Sequence, residues 1–258
     1  EFFAAQRGCS LLAPERISNL RDKLLSIANN GIDIVIVKKF NSILTNISAE
    51  KFIKKILIDE LYVRFLIIGD DFRFGYKREG NFATLTQAGQ KLGFEVETIP
   101  TVTLFNKRIS SSEIRALLTL GKFKEAETFL GYPYSISGRV IHGKKIGRTL
   151  GFPTLNILMP YKKPVLSGIF VVVVHGLSKN YLMGVASIGL RPTVNDDNKV
   201  LLETHVFNFN DNCYGKLVRV QFLHKIRNEE KYLDLNKLTK AIASDVIEAK
   251  NYFNRNKI

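Results

Sequence analysis

Apolar residues in this chain keep two different rhythms, and the change between them falls near Tyr134. After that point come short β-rich segments at 135–141, 169–175, 181–188, 201–209 and 217–223, punctuated by Gly, Pro, Asn and Asp. That spacing predicts an antiparallel barrel or sandwich. One helix follows, because Leu235, Leu238, Ile242 and Val246 share a helical face. Before Tyr134 helix and strand alternate. Ile17, Leu20, Leu24 and Ile27 fall at helical spacing, and Asn30-Gly31 ends the run. Residues 32–37 read as a largely buried strand, Ser48 can cap a helix to about Glu60, and 62–68 is a second apolar strand. A helix at 85–92 leads to a strand at 94–99. This β-α-β order implies a parallel sheet with helices on its faces. From Arg108 to Gly131 the pattern is helical, with Ser110 and Glu113 spaced as a capping box and Gly121 and Gly131 at helix ends. The expected organisation is an α/β domain over 1–122, a helical linker over 123–133 and a β-barrel domain with a final helix over 134–258.

Composition narrows the function classes. A chain of 258 residues with 45% hydrophobic and 24% charged residues has enough apolar content for one large or two ordinary folded domains. No run approaches the roughly 20 apolar residues of a membrane span. A secretory signal is not expected, because acidic Glu1 opens the chain and no basic region precedes an apolar core. Cys9 and Cys213 are far apart and lack metal-ligand spacing. Reduced thiols and a cytoplasmic location follow as the expectation. The net charge of +14 fits a nucleic-acid binder, an enzyme for polyphosphates or a lysine-rich background. The lysines are scattered and no nucleic-acid module motif is present, which favours the last two. Small-molecule partners are expected, a membrane or nucleic-acid partner is not, and self-association stays open.

Three strings after Tyr134 carry candidate chemistry. In G-R-V-I-H-G-K-K-I-G-R-T-L-G-F-P-T-L-N, from Gly138, the glycines Gly143, Gly147 and Gly151 let backbone approach a ligand, with Lys144, Lys145 and Arg148 beside them. A tight turn with a solvated basic face explains the same residues, and Walker A spacing is absent. Pro153 favours an extended run after it, which puts Thr154 and Asn156 on one face. Their neutral oxygens suit Mg²⁺ that takes its charge compensation from nucleotide phosphates, although the polar face of an edge strand would look alike. Glu203 sits mid-strand with His205 and Phe207 on its face, where Glu is disfavoured. It is either solvent-facing or a base for an alcohol attacking a γ-phosphate.

These strings occur in order with S-G-I-F, S-I-G-x-R-P-T, L-E-T-H-V-F-x-F, Y-G-K and F-L-H-K-I-R-N-E-E-K-Y. Together they resemble the bacterial riboflavin kinase domain over about 125 residues. The resemblance implies that Glu203 is the catalytic base and that Thr154 and Asn156 hold Mg²⁺-ATP. It places Gly143 and Arg148 in the nucleotide loop, and Val206, Asn208 and Tyr214 on the adenine side. Arg227, Glu230 and Tyr232 fall on a flap over the flavin.

In the first half, I-I-G-D-D-F-R-F-G from Ile67 and R-I-S-S-S-E-I-R from Arg108 stand where a strand end and a helix start are expected. Asp70 and Asp71 could meet ribose, ribityl or Mg²⁺, and Ser111, Ser112 and Arg115 a phosphate; an acidic turn and a helix cap are the plainer readings. With L-R-D-K from Leu20 and G-I-D-I-V from Gly31, these strings are similar to the adenylyltransferase half of the bifunctional riboflavin kinase/FAD synthetase family. That similarity implies a Rossmann-like nucleotidyltransferase domain that joins AMP from ATP to FMN, giving FAD. Asp70, Asp71 and Arg78 would then border flavin or nucleotide, and Ser111, Ser112 and Arg115 would contact ATP phosphates. The family's first strand carries a G-x-F-D-G-x-H-x-G-H signature. The four histidines here are His142, His175, His205 and His224, and no H-x-G-H occurs. The expectation is therefore an incomplete first domain from a longer native chain, with riboflavin kinase intact and FAD formation needing the longer form. A flavin-fold regulatory or nucleic-acid-binding protein without kinase activity is the alternative.

Overall fold

The computed structural model describes residues 13–143, 145–159, 163–190, 200–232 and 234–258. Glu1–Phe3, Cys9, Lys144 and Arg191-Pro192-Thr193 lie outside the described residues. The chain divides into two compact units. Ile36–Ile109 form the body of one, and Pro14–Val35 with Ser110–Ile258 form the other.

In the first unit, helix α2 (Ser42–Thr45) precedes α3 (Ala49–Lys51), which runs on as a π-helical stretch, Phe52–Glu60. Ser48 caps α3 as expected, its hydroxyl accepting from the Lys51 N–H at 3.2 Å. Strands β1 (Phe65–Gly69) and β2 (Glu95–Ile99) pair in parallel, joined through α4 (Phe82–Leu92). Two short strands, β3 (Thr103–Leu104) and β4 (Lys107–Arg108), make a hairpin. Ile53, Leu57, Ile68, Phe74, Leu85 and Phe94 form the core between helices and sheet. The strand expected at 32–37 does not form. A strand is held by its neighbour's backbone groups, and no described segment pairs with it. Its apolar side chains are exposed, Ile34 to 80%.

The second unit is built on a closed six-stranded antiparallel barrel, ordered β10-β5-β6-β9-β8-β7. The strands are β5 (Ser135–Ile141), β6 (Leu155–Leu158), β7 (Gly168–His175), β8 (Leu182–Leu190), β9 (Val200–Val206) and β10 (Leu217–Arg227). Phe170, Ile188, Leu202, Val220 and Phe222 fill the interior. The helices α5 (Ser111–Thr119) and α6 (Phe123–Leu130) add Ile114, Leu118 and Phe123 to that same core. The stretch expected as a linker thus packs as part of the barrel unit, as does α1 (Leu20–Asn29), whose capping Asn19 donates to the Ser137 carbonyl at 2.9 Å. The final helix α8 (Leu235–Asn256) lays Val246, Ala249 and Phe253 on the outside of the barrel, over Ile169, Val171 and Val173 of β7. β7 is therefore buried on both faces, which explains its unbroken apolar run. β9 has one buried face and one half-buried face, and it alternates accordingly.

The Phe170 ring is fully buried between Phe123 and Phe222, with centroids at 5.9 and 5.4 Å. Phe170→Ala removes that filling from a closed barrel that can collapse little. The expected loss is about 3–5 kcal/mol, read as a lowered urea midpoint with an unchanged slope; a loss under about 1 kcal/mol would place the core elsewhere.

Candidate active site

The site begins with the loop after β5. Gly143 and Gly147 are small because their surroundings leave no room for more. A Cβ on Gly143 would lie 2.5 Å from Asn156 Nδ2, and one on Gly147 would lie 2.4 Å from the Phe152 carbonyl oxygen. The short helix α7 (Ile146–Thr149) carries Arg148 and returns the chain to Phe152, whose N–H bonds to the Gly147 carbonyl at 2.7 Å. Pro153 then leads into β6. Its carbonyl accepts from His205 Nδ1 at 2.8 Å, and since a carbonyl can only accept, the ring proton sits on Nδ1. This contact ties the F-P-T-L-N string to β9.

Register does the rest. Asn156 of β6 is opposite Glu203 of β9, and Glu203 is opposite Ser187 of β8. Directly paired residues project to one face. Asn156, Glu203 and Ser187 therefore form a row across three strands on the outside of the barrel. That face opens into a cavity of about 310 Å³ which holds Thr154, Ser187, Glu203 and His205. Phe152 and Ile169 give it apolar walls, and Arg227 at the end of β10 closes in with Glu230 and Tyr232 of the segment after it. A second cavity, of about 550 Å³, lies on the other side of Thr154 and is lined by Arg148, Leu155, Val206 and Tyr214. Thr154 belongs to both.

Buried polar atoms mark the boundary. Asn156 is 5% exposed and Thr204 fully buried, and neither Asn156 Oδ1 nor Thr204 Oγ1 has a hydrogen-bond partner. Such groups normally find partners, so each is an unsatisfied polar atom; Thr204 lines the larger cavity, and Asn156 stands opposite Glu203. Among the described residues no cluster of three or more His, Cys, Asp or Glu could hold a metal. A cation here would rest on neutral oxygens such as those of Thr154 and Asn156.

Electrostatics organise the closing segment. The Asp245 carboxylate pairs with Arg227 and pushes the guanidinium further above its ordinary range. Tyr232 donates to Glu230 at 2.6 Å, and that bond raises the phenol. Partial desolvation, and then the charge of Glu203, push the Glu229 carboxyl above its ordinary value.

The structure thus gathers Arg148, Thr154, Val206, Tyr214, Glu203, Arg227, Glu230 and Tyr232 around two cavities that share Thr154, whereas Asn156 and Gly143 pack against each other and line neither. Asn208 is not among the lining residues. It is exposed in the left-handed region at φ 55°, where Asn serves a turn, and its neighbours Phe209 and Asn210 reach the larger cavity instead. Sequence reasoning missed Ser187, Thr204, Glu229, Leu238, Ile242 and Asp245. Ser187 opens the S-I-G-x-R-P-T string, but only strand register puts it beside Glu203, and the two helix aliphatics read simply as core.

In the other unit, Asp70 and Asp71 follow the carboxyl end of β1. Thr101 donates to Asp70 at 2.6 Å, which lowers that carboxyl, and Arg108 reaches Asp71 at 3.0 Å. A cavity of about 860 Å³ in this unit combines Phe52, Phe72, Phe74 and Tyr76 with Arg73 and Arg78. Ser111, Ser112 and Arg115 belong to the barrel unit. There Ser111 and Ser112 are exposed at the start of α5, while Arg115 donates to the Glu15 carbonyl at 2.8 Å.

Comparison with known proteins supplies the family. A model described as riboflavin kinase matches residues 130–253, and one described as FAD synthetase matches residues 9–113. A bifunctional riboflavin kinase/FMN adenylyltransferase of Haemophilus influenzae is 46% identical over 242 residues, covering 94% of this chain and 78% of the relative. The Escherichia coli K12 protein of the same description is 39% identical over 253 residues, covering 98% and 79%. A solved Streptococcus pneumoniae structure described as a macrolide-efflux protein matches at TM-score 0.69 and 27% identity, over 95% of this chain and 79% of that one. Among the described residues no helix is long and apolar enough to cross a membrane. With both family models in chain order and such identity over nearly its whole length, the chain belongs to the bifunctional riboflavin kinase/FMN adenylyltransferase family.

Proposed function

We propose that the barrel unit phosphorylates riboflavin to FMN with ATP, and that the other unit serves the adenylylation of FMN to FAD. The observation that carries the kinase reading is the pair of cavities that share Thr154, with Glu203 and Ser187 side by side in the smaller one. The larger cavity, with Arg148, Val206 and Tyr214, takes the nucleotide. The smaller takes the flavin, its ring against Phe152 and Ile169 and its ribityl chain toward Glu203. There the 5′-oxygen attacks the γ-phosphorus, the bond to the β,γ-bridging oxygen breaks, and Glu203 accepts the hydroxyl proton as ADP departs. Arg148 balances phosphate charge at the mouth of the larger cavity. Thr154 and the unpartnered Asn156 Oδ1 would hold Mg²⁺, which neutralises phosphate charge when bound.

For the second activity, support comes from the aromatic and basic cavity of the first unit. Stacked Phe72 and Phe74, 5.7 Å apart, suit a planar ring system, and Arg73 and Arg78 suit a phosphate attached to it. Asp70 and Asp71 are the polar groups beyond β1; Ser111, Ser112 and Arg115, which the family resemblance implies for ATP phosphates, belong to the barrel unit and do not line this cavity. A cytoplasmic location is part of this reading.

Incubation with riboflavin, ATP and Mg²⁺ followed by chromatography should yield FMN. Glu203→Ala should lower kcat by about 100-fold, and a rate equal to the parent's removes Glu203 as base. Asn156→Ala should raise the apparent KM for Mg²⁺-ATP about tenfold, corresponding to one lost charged contact, with the riboflavin KM little changed; an unaltered nucleotide KM would clear Asn156 of any metal role. Glu229 gives a pH test. Its folded carboxyl holds a proton more tightly than its unfolded one, so its charge costs stability once pH exceeds the raised value, and the cost vanishes below the ordinary one. Glu229→Gln should therefore raise Tm at neutral pH and leave it unchanged near pH 4, about the ordinary carboxylate value. The reverse pattern in thermal melts would contradict this electrostatic picture.

A further inference from the structure

The flavin cavity has a wall that no barrel strand supplies. Leu238, Ile242 and Asp245 line it from α8. Their spacing puts them on one face of the helix. Two aliphatic side chains on that face suit a flat apolar ring. Asp245 does not, because it is a carboxylate only 5% exposed, and burying a charge is costly unless it is paired.

Its partner is Arg227, the last residue of β10. Nε meets one carboxylate oxygen at 2.8 Å and Nη2 the other at 2.8 Å. Such a two-pronged pair fixes the guanidinium plane as well as its position. Nη1 then donates to the Asn228 carbonyl at 3.1 Å. The guanidinium carbon lies 5.9 Å from the Tyr232 ring centroid, and the Tyr232 hydroxyl bonds to Glu230 at 2.6 Å. An unbroken series of contacts therefore runs from the helix to the segment that lines the cavity. An apolar residue at 245 would fill the same space without a desolvation cost. What the carboxylate adds is direction.

We propose that Asp245 is a positioning residue for the flavin acceptor: by clamping Arg227 in one plane it aims Arg227 and the Tyr232–Glu230 arm into the cavity, so that α8 sets how tightly riboflavin is held. This rests on the kinase reading above.

The test uses the whole chain. Riboflavin Kd is read from quenching of flavin fluorescence, and KM values for riboflavin and ATP from FMN production. Asp245→Asn keeps the shape and removes the charge. Riboflavin Kd and KM should rise about tenfold while the ATP KM stays within about twofold. Arg227→Gln should raise the riboflavin Kd by a similar factor, and the double variant should bind no worse than either single one. Equal losses for riboflavin and ATP, or losses that add in the double variant, would mean that Asp245 merely holds the helix in place, and would overturn the proposal. If Asp245→Asn does not fold, Asp245→Glu keeps the charge and moves it by one methylene. A raised riboflavin Kd in that variant supports the clamp, and a Kd equal to the parent's overturns it. A parent chain that quenches riboflavin yet makes no FMN sinks the kinase reading by itself, and the comparison of Kd values still decides the clamp.

Discussion

Strand register is the constraint on which the rest of this structure depends. Because β6, β9 and β8 are locked side by side in a closed barrel, Asn156, Glu203 and Ser187 must stand in one row. A slip of one residue in β9 would turn Glu203 into the barrel core and bring Leu202 to the cavity. The core resists such a slip. Leu202 and Thr204 are fully buried on the inner face, and no charged group could replace them there without great cost. The packing of the interior thus aims the carboxylate outside it. His205 adds a local tie on the same face, bonding Pro153 so that Thr154 meets the row at a fixed place.

Two layers of core flank the barrel wall. The inner one joins six strands to α5 and α6, and the outer one joins β7, β8 and α8. Beside the outer layer and the polar row lies the smaller cavity, lined by apolar groups such as Phe152, Ile169, Leu238 and Ile242 and by oxygen-bearing ones such as Thr154, Ser187 and Glu203. That division matches a ligand with a flat ring at one end and hydroxyls at the other.

Much of the barrel was readable from the chain. The segment at 135–141 coincides with β5, and glycine spacing located the loop that carries Arg148. Thr154, Glu203, Arg227, Glu230 and Tyr232, separated by up to 78 residues along the chain, arrive at one cavity. What periodicity could not supply was partnership. Residues 32–37 have the composition of a buried strand, yet composition does not provide the adjoining backbone, and no described strand does either. Leu238 and Ile242 have the pattern of core residues, and nothing in that pattern separates packing against protein from packing against a ligand. Asp245 is missed for a similar reason. A single acid on a helix reads as surface until the arginine opposite it is known. Asn208, which the family resemblance placed on the adenine side, stands in a left-handed turn outside the residues that line the cavity.

The place of α8 in chain order has a consequence for biosynthesis. All six barrel strands precede it, so on the ribosome the barrel can close while this helix is still within the exit tunnel. At that stage the outer face of β7 is bare and Arg227 lacks its counter-charge. The cavity gains its third wall only when residues 238–245 emerge and dock. A folding chain can therefore complete the larger cavity, which takes nothing from α8, before the smaller one, which is open on one side until that helix docks.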